Sequence, residues 1–306
     1  MTIHEQHEAA ATMKRHGKSF WFASLFLPKN VAADAARLYA FCRTMDDLAD
    51  VAVTQESKAS LAQVRKDLSS GVSSTPACQD FLALATRYQL PREAADYLIA
   101  TFLQDATTEI HLEDEHQLVR YCYGVAGTVG LMMSPILGAD GSKAGQAAMH
   151  LGIAMQMTNI ARDVLEDAEN GRRYLPGSWV HDLSASQIQA VAQVASSASR
   201  ETVAAAVHRL LRLADQYYAS AAPGFDLIPD RARRGIDIAA SVYREIGTVL
   251  RRRQYAWWQG RVRVSYPRKL WIAAQVYLGQ SPIRRLQPVM SNSELSLPVI
   301  GLPGAQ

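Results

Sequence analysis

The sequence predicts an all-α fold, and three observations support that prediction. Nearly every segment between residues 32 and 278 repeats its apolar residues at the three-to-four spacing of a helix. Long runs of Val, Ile or aromatic residues with a period of two, which would indicate strands, do not occur. The 306 residues are 48% hydrophobic and 20% charged, ordinary values for a globular protein with a substantial core. We therefore expect one helical domain over residues 1–286 and a loosely ordered C-terminal tail over residues 287–306.

The expected helices are bounded by ordinary start and stop signals. Pro28 and Pro91 stand near helix starts, Gly171 and Pro176 follow a helix end, and Pro223 begins a break between two long helices. In order, the predicted helices cover residues 32–52, 57–68, 79–88, 92–105, 115–133, 144–165, 185–222, 229–259 and 267–278.

The longest uncharged stretch, residues 121–139, approaches the length of about 20 apolar residues that a membrane-spanning helix needs. However, Gly124, Gly127 and Gly130 recur in it at every third position. Small residues at this spacing let helix backbones approach closely inside a core. We therefore predict a buried helix here. Because the N-terminus lacks the apolar segment of a signal peptide, we expect a cytoplasmic protein, with peripheral contact to the inner membrane as an option.

Composition excludes several classes of protein and site. The three cysteines, Cys42, Cys78 and Cys122, are scattered and form no CxxC pair, so neither a disulfide framework nor a zinc site is expected. The formal charge of +3 comes from 32 Lys and Arg against 29 Asp and Glu. Because this excess is not concentrated in one long tract, we expect no nucleic-acid partner.

The first chemically informative segment is residues 38–50. Tyr39, Arg43, Asp46 and Asp50 follow the spacing i, i+4, i+7 and i+11, which places them on one face of a helix. Stacked carboxylates repel each other and destabilise a helix by a few tenths of a kcal/mol. The rest of the helix is apolar, so this strip indicates a cavity lining rather than a solvated surface.

A second strip lies more than a hundred residues later, in residues 156–167. Gln156, Asn159, Asp163 and Asp167 again share one helical face. Carboxylate and amide oxygens, without His or Cys, suit a hard cation, and Mg²⁺ typically combines one or two carboxylates with substrate phosphates. We therefore expect the two strips to face each other across a cavity and to hold Mg²⁺ between them.

Cationic side chains near both strips indicate an anionic substrate. Arg43 and Arg162 lie beside the acids, and a guanidinium is the usual bidentate partner of phosphate. Lys18 and Ser19 precede the aromatic residues 20–22. Polar chemistry at one end and apolar helix elsewhere together fit a prenyl diphosphate.

These residues resemble the squalene/phytoene synthase family, over roughly residues 13–280. The matching blocks are HGKSFWFAS, LYAFCRTMDDLAD, YCYGVAGTVG, LGIAMQMTNIARDVLEDAENGRRYLP, VYREIG and RVRVSYPRKL, and their style is most similar to bacterial phytoene synthases. The resemblance implies an isoprenoid-synthase helical bundle with a central cavity. It also implies head-to-head condensation of two geranylgeranyl diphosphates to phytoene through a cyclopropyl (prephytoene) diphosphate, in carotenoid biosynthesis. Mg²⁺ would be required, Mn²⁺ would substitute for it, and NADPH would not be used.

The resemblance implies a role for each matching residue. The metal ligands would be Asp46, Asp50, Asn159, Asp163 and Asp167, and the four aspartates would act in catalysis with Tyr39 and Arg43. The substrate-binding residues would be His16, Lys18, Ser19, Tyr39, Arg43, Gln156, Asn159, Arg162, Tyr243 and Arg261. Asp47 and Glu166 match the motifs but point away from the strips. The chain departs from the family pattern around Asp105, so the resemblance implies no role for that residue.

Two alternatives to phytoene synthesis stay open. The first is a squalene, dehydrosqualene or presqualene diphosphate synthase that uses farnesyl diphosphate. Ser24 favours the longer geranylgeranyl chain, because a small residue leaves room that a large aromatic residue would fill. The second alternative is a catalytically inactive helical assembly protein, which predicts eroded aspartates. All four principal aspartates are present.

Overall fold

The computed structural model describes residues 3–50, 55–105, 110–139, 141–194, 197–303 and 305. The described part is almost entirely helical, as the apolar spacing predicts. The first eight helices are α1 (Ile3–His16), α2 (Lys18–Ser24), α3 (Lys29–Asp50), α4 (Gln55–Ser70), α5 (Pro76–Tyr88), α6 (Arg92–Asp105), α7 (Glu115–Cys122) and α8 (Thr128–Ile136). The others are α9 (Gly141–Glu169), α10 (Gly177–Val180), α11 (Ala185–Ala192), α12 (Ala198–Ala221), α13 (Asp230–Arg252), α14 (Tyr266–Tyr277) and α15 (Asn292–Ser296).

The long helix α9 lies at the centre of the bundle. It packs against α8, α11, α12 and α13, and Ile153, Ala154, Met157 and Ala161 along it are completely buried. The second predicted strip belongs to the C-terminal half of this helix. A site on α9 is therefore built on the best-supported element of the fold.

Glycines allow α9 to cross α8, and residues 123–127 just before α8, in backbone contact. A Cβ on Gly152 would lie 2.1 Å from the carbonyl oxygen of Ala126, and a Cβ on Gly130 would lie 2.1 Å from that of Ala148. Either distance is far inside a van der Waals contact. The prediction that residues 121–139 form a buried helix is therefore confirmed, with close packing as the physical reason. No helix in the described ranges is long and apolar enough to cross a membrane.

The helix predicted over residues 115–133 contains a π turn, Tyr123–Gly127, between α7 and α8. Such π turns inside helices are frequent at functional sites. Other boundaries also differ from the prediction. The segment over residues 185–222 is two helices, since Ser197 caps the start of α12 by accepting a hydrogen bond from the backbone of Arg200.

A short parallel strand pair joins two connecting segments. Strand β1 (Ile110–His111) follows α6, and strand β2 (Arg172–Arg173) follows α9. The pair connects the segment that follows α9, and so follows the second strip, to the segment between α6 and α7.

The structure places residues 287–303 against the core, where the sequence analysis expected a loosely ordered tail. Leu295, Val299 and Leu302 are buried, and the Tyr217 hydroxyl donates a hydrogen bond to the Leu295 carbonyl at 2.8 Å. The buried His150 contacts the Ser296 hydroxyl at 3.1 Å. This segment has too few apolar residues for a helical pattern, so its three buried side chains left no periodic signal in the sequence.

Candidate active site

The first strip lies at the C-terminal end of α3. Tyr39, Arg43 and Asp46 are half-buried on one face of this helix. The Arg43 guanidinium donates to Asp46 at 2.9 Å and also to the exposed Asp47. The side chain of Asp50, the last residue of α3, lies outside the described part of the structure.

The second strip occupies the half-buried face of α9. Asn159 donates from Nδ2 to the Gln156 side-chain oxygen at 3.2 Å. The other Asn159 atom, Oδ1, is buried and has no hydrogen-bond partner among the described residues. Because a buried acceptor without a partner is costly, this oxygen is suited to a ligand that the protein itself does not supply.

Asp163 is surrounded by cations. Arg162 donates to it from Nε at 2.7 Å, and Arg261 lies 3.2 Å from it. Arg261 also binds Glu166 at 3.1 Å, so the segment before α14 is attached to α9 at the strip.

Asp167 has an unusual titration. Burial raises the pKa of its carboxyl to about 8, and the charges of Asp163 and Glu166 act in the same direction, while Arg172 and Arg162 oppose them. Desolvation disfavours the charged form of an acid, and like charges nearby add to that effect. At neutral pH this carboxyl therefore holds a proton unless a cation approaches it.

Tyr243 of α13 lies between the two strips. Burial raises the pKa of its hydroxyl to about 12, with smaller effects from Arg162, Asp163 and Arg261, all of which belong to or contact the second strip. The pKa of Tyr39 in the first strip is raised by burial and next by Tyr243. One tyrosine thus lies within electrostatic range of both strips, so the strips occupy the same end of the bundle.

Phe20 of α2 covers this junction. Its ring centroid is 4.7 Å from that of Tyr243 and 6.0 Å from that of Tyr39. A Cβ on Gly17 would lie 2.9 Å from the Tyr39 ring, so the connection between α1 and α2 runs directly against the first strip. Of the three polar residues expected to bind substrate here, His16 and Lys18 are exposed and Ser19 is half-buried.

A tyrosine pair beside Asp167 was missed by the sequence analysis. The rings of Tyr121 and Tyr174 stack with centroids 4.8 Å apart. The pKa of each hydroxyl is raised by burial and by the charge of Asp105. The charge of Asp167 also raises the pKa of Tyr174. Asp105, which had no assigned role, therefore belongs to the same end of the bundle. The blocks YCYGVAGTVG and NGRRYLP contain these tyrosines, but nothing in the sequence brings them together.

Two cavities lie at this end. One, of about 10 Å³, is lined by Asp167, Arg172 and Tyr174 among others and is the size of a water molecule. The other, of about 320 Å³, lies between Arg162, Glu166 and Arg261. The long central cavity expected from the sequence is neither of these two and stays a prediction.

A row of half-buried apolar residues runs along α7, the π turn and α8. Tyr121, Val125, Val129 and Met133 recur every four residues along α7, the π turn and α8. Helices α3, α6 and α9 pack against α8. The row begins beside Asp167 and extends about 18 Å at the helical rise of about 1.5 Å per residue.

The oxygen donors of the two strips differ from a ready-made metal site. Within the described ranges, no group of three or more His, Cys, Asp or Glu side chains is arranged to hold one. Arginines lie on the carboxylates instead, with Arg43 on Asp46 and with Arg162 and Arg261 on Asp163. The unpartnered Asn159 oxygen and the carboxylates of Asp163 and Asp167, at successive turns of α9, are oxygen donors of the kind that Mg²⁺ prefers. The predicted ligand set stays a prediction.

Comparison with known proteins agrees with the resemblance seen in the motifs. A family model described as squalene/phytoene synthase matches residues 13–268. The chain is 34% identical to the 15-cis-phytoene synthase of Enterobacter agglomerans over 271 residues, covering 84% of this chain and 90% of that protein. It is 35% identical to the phytoene synthase of Rhodobacter capsulatus over 262 residues, covering 84% and 76%. The crystal structure of a dehydrosqualene synthase in complex with a ligand matches with a TM-score of 0.79 and 28% identity, covering 90% of this chain and 96% of that chain. The chain therefore belongs to the squalene/phytoene synthase family of prenyltransferases.

Proposed function

We propose that the enzyme joins two geranylgeranyl diphosphates head to head to form phytoene, through a cyclopropyl diphosphate and with Mg²⁺. Family membership supports the condensation of prenyl diphosphates in carotenoid synthesis. The observation that carries the proposal is the aromatic junction at Phe20, whose ring centroid lies 4.7 Å from that of Tyr243 and 6.0 Å from that of Tyr39. The arginines and oxygen donors of the two strips would then bind the diphosphates at one end of the apolar row.

The arginines of the two strips would bind the diphosphates. Arg43 keeps a buried Nε without a hydrogen-bond partner in the described part of the chain, so it has a donor to spare for phosphate. Arg162 and Arg261 converge on Asp163 and would turn to the second diphosphate. Guanidinium groups stabilise the negative charge that builds on a leaving diphosphate.

A divalent ion would share that task. Asp46 and Asp50 on one side, and Asn159, Asp163 and Asp167 on the other, would hold Mg²⁺. When bound, Mg²⁺ neutralises phosphate charge and makes diphosphate a better leaving group. Asp167 would give up its proton on binding, because a ligand carboxyl must be ionised.

The reaction itself needs few protein groups beyond these. Ionisation breaks the allylic C–O bond of one substrate, and the double bond of the second substrate attacks the resulting cation. Proton loss closes the cyclopropane, and the released diphosphate can accept that proton. A second ionisation, rearrangement and proton loss give the conjugated triene. Phe20, Tyr39 and Tyr243 would face the cation with aromatic rings, which stabilise positive charge without trapping it, and their packing excludes water.

The apolar row would bind the prenyl chain and set its length. Ser24 lies one helical turn beyond Phe20 on α2, and its hydroxyl donates to the Trp21 carbonyl at 2.8 Å, so it adds neither bulk nor an unpaired polar group. Met133, at the far end of the row, packs against the same small cluster as Leu27. A small residue at position 24 therefore leaves the far end open for the longer substrate.

Dehydrosqualene synthesis from farnesyl diphosphate is the second candidate. The structural similarity to a dehydrosqualene synthase favours it. Substituting Ser24 discriminates between the two chain lengths. We expect Ser24→Phe to favour farnesyl over geranylgeranyl diphosphate, while the matched control Ser24→Ala keeps the wild-type preference.

The decisive experiment incubates the protein with labelled farnesyl or geranylgeranyl diphosphate, with and without NADPH, and identifies the hydrocarbon by mass spectrometry. We expect a forty-carbon conjugated triene from geranylgeranyl diphosphate without NADPH. A thirty-carbon product alone would overturn geranylgeranyl diphosphate as the substrate. A strict need for NADPH would overturn phytoene as the product. EDTA should stop the reaction and Mg²⁺ or Mn²⁺ restore it, so undiminished turnover in EDTA would overturn the metal requirement.

A further inference from the structure

The outward face of α14 is apolar, although it is exposed. The helix buries Ile272, Ala273 and Val276 against the bundle, beside α13. A surface helix normally presents charged or polar residues on the opposite side. Instead, the five large residues of that side are apolar or aromatic and between 46% and 73% exposed. This apolar face of α14 consists of Tyr266, Leu270, Trp271, Tyr277 and Leu278.

The end of α2 continues the apolar face of α14. Phe22 meets Tyr266 edge-on with ring centroids 5.8 Å apart, and Phe26 lies 6.0 Å from Tyr277. Leu25, between these two phenylalanines in the chain, is itself exposed. The aromatic contacts hold the two helices together, so the exposed groups form one continuous surface rather than scattered single residues.

Cationic side chains border this surface. No Asp or Glu occurs from residue 246 to residue 293, although five of the nine Lys and Arg in that stretch form ion pairs with acids outside it. Arg234 lies over the Tyr277 ring at 5.0 Å. Lys269 Nζ lies 3.5 Å from the Lys18 carbonyl oxygen and over the Phe22 ring. Arg234 and Lys269 therefore form a cationic rim beside the aromatic surface.

We propose that the apolar face of α14 docks on the surface of an anionic lipid bilayer. Trp and Tyr rings favour the level of the lipid headgroups, and a helix with apolar residues on one side and Lys or Arg beside them lies in the plane of that interface. Anionic lipids complement the cationic rim. A symmetric pair of protein copies would instead bring two cationic rims together, so charge complementarity favours lipid over a second copy.

Docking would have a consequence for the site. Helix α2 contributes Phe22 to the contacts with α14 and Phe20 to the junction of the two strips, and Phe26, two residues after the end of α2, makes the second contact with α14. A bilayer on this face therefore lies beside the helix that covers the active site. Exchange of prenyl chains with the bilayer at this point rests on the proposed function, whereas lipid binding does not.

Vesicle flotation of the purified full-length protein tests the lipid binding without any substrate. We expect the protein to float with phosphatidylglycerol-containing vesicles, to float less at high salt, and to float weakly with pure phosphatidylcholine. The double substitution Leu270→Ser with Trp271→Ser should weaken binding at least tenfold. Val72→Ser and Val289→Ser are matched controls, since both valines are exposed, 72% and 86%, away from α14, and they should bind like the wild type.

A second readout locates the contact. Lipids brominated near the headgroup should quench the fluorescence of Trp271, and Trp271→Phe should remove most of this quenching while keeping flotation. Circular dichroism verifies that each variant is folded. Wild-type protein that does not float, or a folded double variant that floats equally well, would overturn the proposal. A wild-type dimer that the double substitution converts to monomers, without lipid binding in either, would overturn it in favour of a second copy.

Discussion

Asn159 and Asp163 illustrate how single residues of α9 are placed for ligand chemistry rather than for packing. The Asn159 oxygen is buried without a hydrogen-bond partner in the described part of the chain, and Asp163 receives two arginines. The unpartnered oxygen costs stability unless a ligand uses it, and the paired arginines place positive charge where an anionic ligand would bind.

Neutralising the acids should abolish turnover while sparing the fold. We expect Asp46→Asn or Asp163→Asn to lower kcat about a hundredfold or more, since each removes a carboxylate that would hold the Mg²⁺ acting on the leaving diphosphate. Product formation from labelled substrate measures the effect, and circular dichroism verifies the helices. Glu169→Gln, an exposed change on the same helix, is the matched control. Wild-type rates in the two Asn variants would contradict the assignment.

The pKa of Asp167 predicts a pH-dependent affinity for metal. Its carboxyl has a pKa of about 8 in the folded chain, so without metal the folded state binds more protons than the unfolded state between about pH 4 and 8. Stability should therefore fall as pH rises through that window. Because Mg²⁺ must displace the proton, its affinity should rise about tenfold per pH unit from pH 6 to 8 and then level off.

Calorimetric titration of Mg²⁺ at several pH values measures this slope. Asp167→Asn should flatten it, because the amide does not titrate, and Glu169→Gln should leave it unchanged. A wild-type affinity that does not vary with pH would show that Asp167 is not a ligand.

Among the elements, the crossing of α8 and α9 depends most directly on residue size. A Cβ at Gly152 meets the backbone of Ala126, which cannot rotate away as a side chain could. The same crossing holds α9 against the helix that carries the apolar row. The geometry of this crossing therefore sets the packing of the core. It also sets the distance between the second strip on α9 and the apolar row on α8.

Enlarging this glycine should separate the helices. We expect Gly152→Ala to lower the free energy of unfolding by about 1–3 kcal/mol through overpacking, measured by urea denaturation. Gly145→Ala on the same helix is the control, since its Cβ would meet only Leu131, at an ordinary 3.6 Å. That change should be neutral or stabilising, because Ala favours a helix more than Gly does. Equal stability losses in both variants would contradict the close crossing.

At the scale of the whole molecule, residues 287–303 join helices that are distant in sequence. His150 of α9 bonds through its two ring nitrogens to Ser220 of α12 and to Ser296 of the C-terminal segment. The Tyr123 hydroxyl in the π turn donates to the Pro303 carbonyl. The segment thereby covers the end of the bundle where α9, α12 and the π turn meet.

The buried His150 should make this assembly sensitive to acid. Burial lowers its pKa to about 4, whereas an unfolded His titrates near 6.5. The unfolded state therefore binds more protons between pH 4 and 6.5, and stability should fall by up to about 3 kcal/mol as pH drops through this window. Urea denaturation at several pH values measures the effect. His150→Gln should reduce the slope, and an unchanged slope would assign the acid sensitivity to other groups.

The sequence by itself determined the helical class and the composition of each strip. Spacings such as 39, 43 and 46, or 156, 159 and 163, decide which side chains share a face, because the α-helical hydrogen-bond pattern is local and periodic. The glycine spacing likewise predicted a close helix crossing. These inferences need only neighbouring residues, and the structure agrees with them.

Tertiary structure alone decided which distant groups meet. Tyr243 between the strips, Arg261 on Asp163, the stacked Tyr121 and Tyr174, and the C-terminal segment on His150 all join residues from separate elements. The apolar face of α14 shows the same limit, since a helix with apolar residues on both sides does not reveal from its sequence which side is buried. Such contacts depend on how whole helices pack, and packing responds to the summed burial of many side chains rather than to any local spacing.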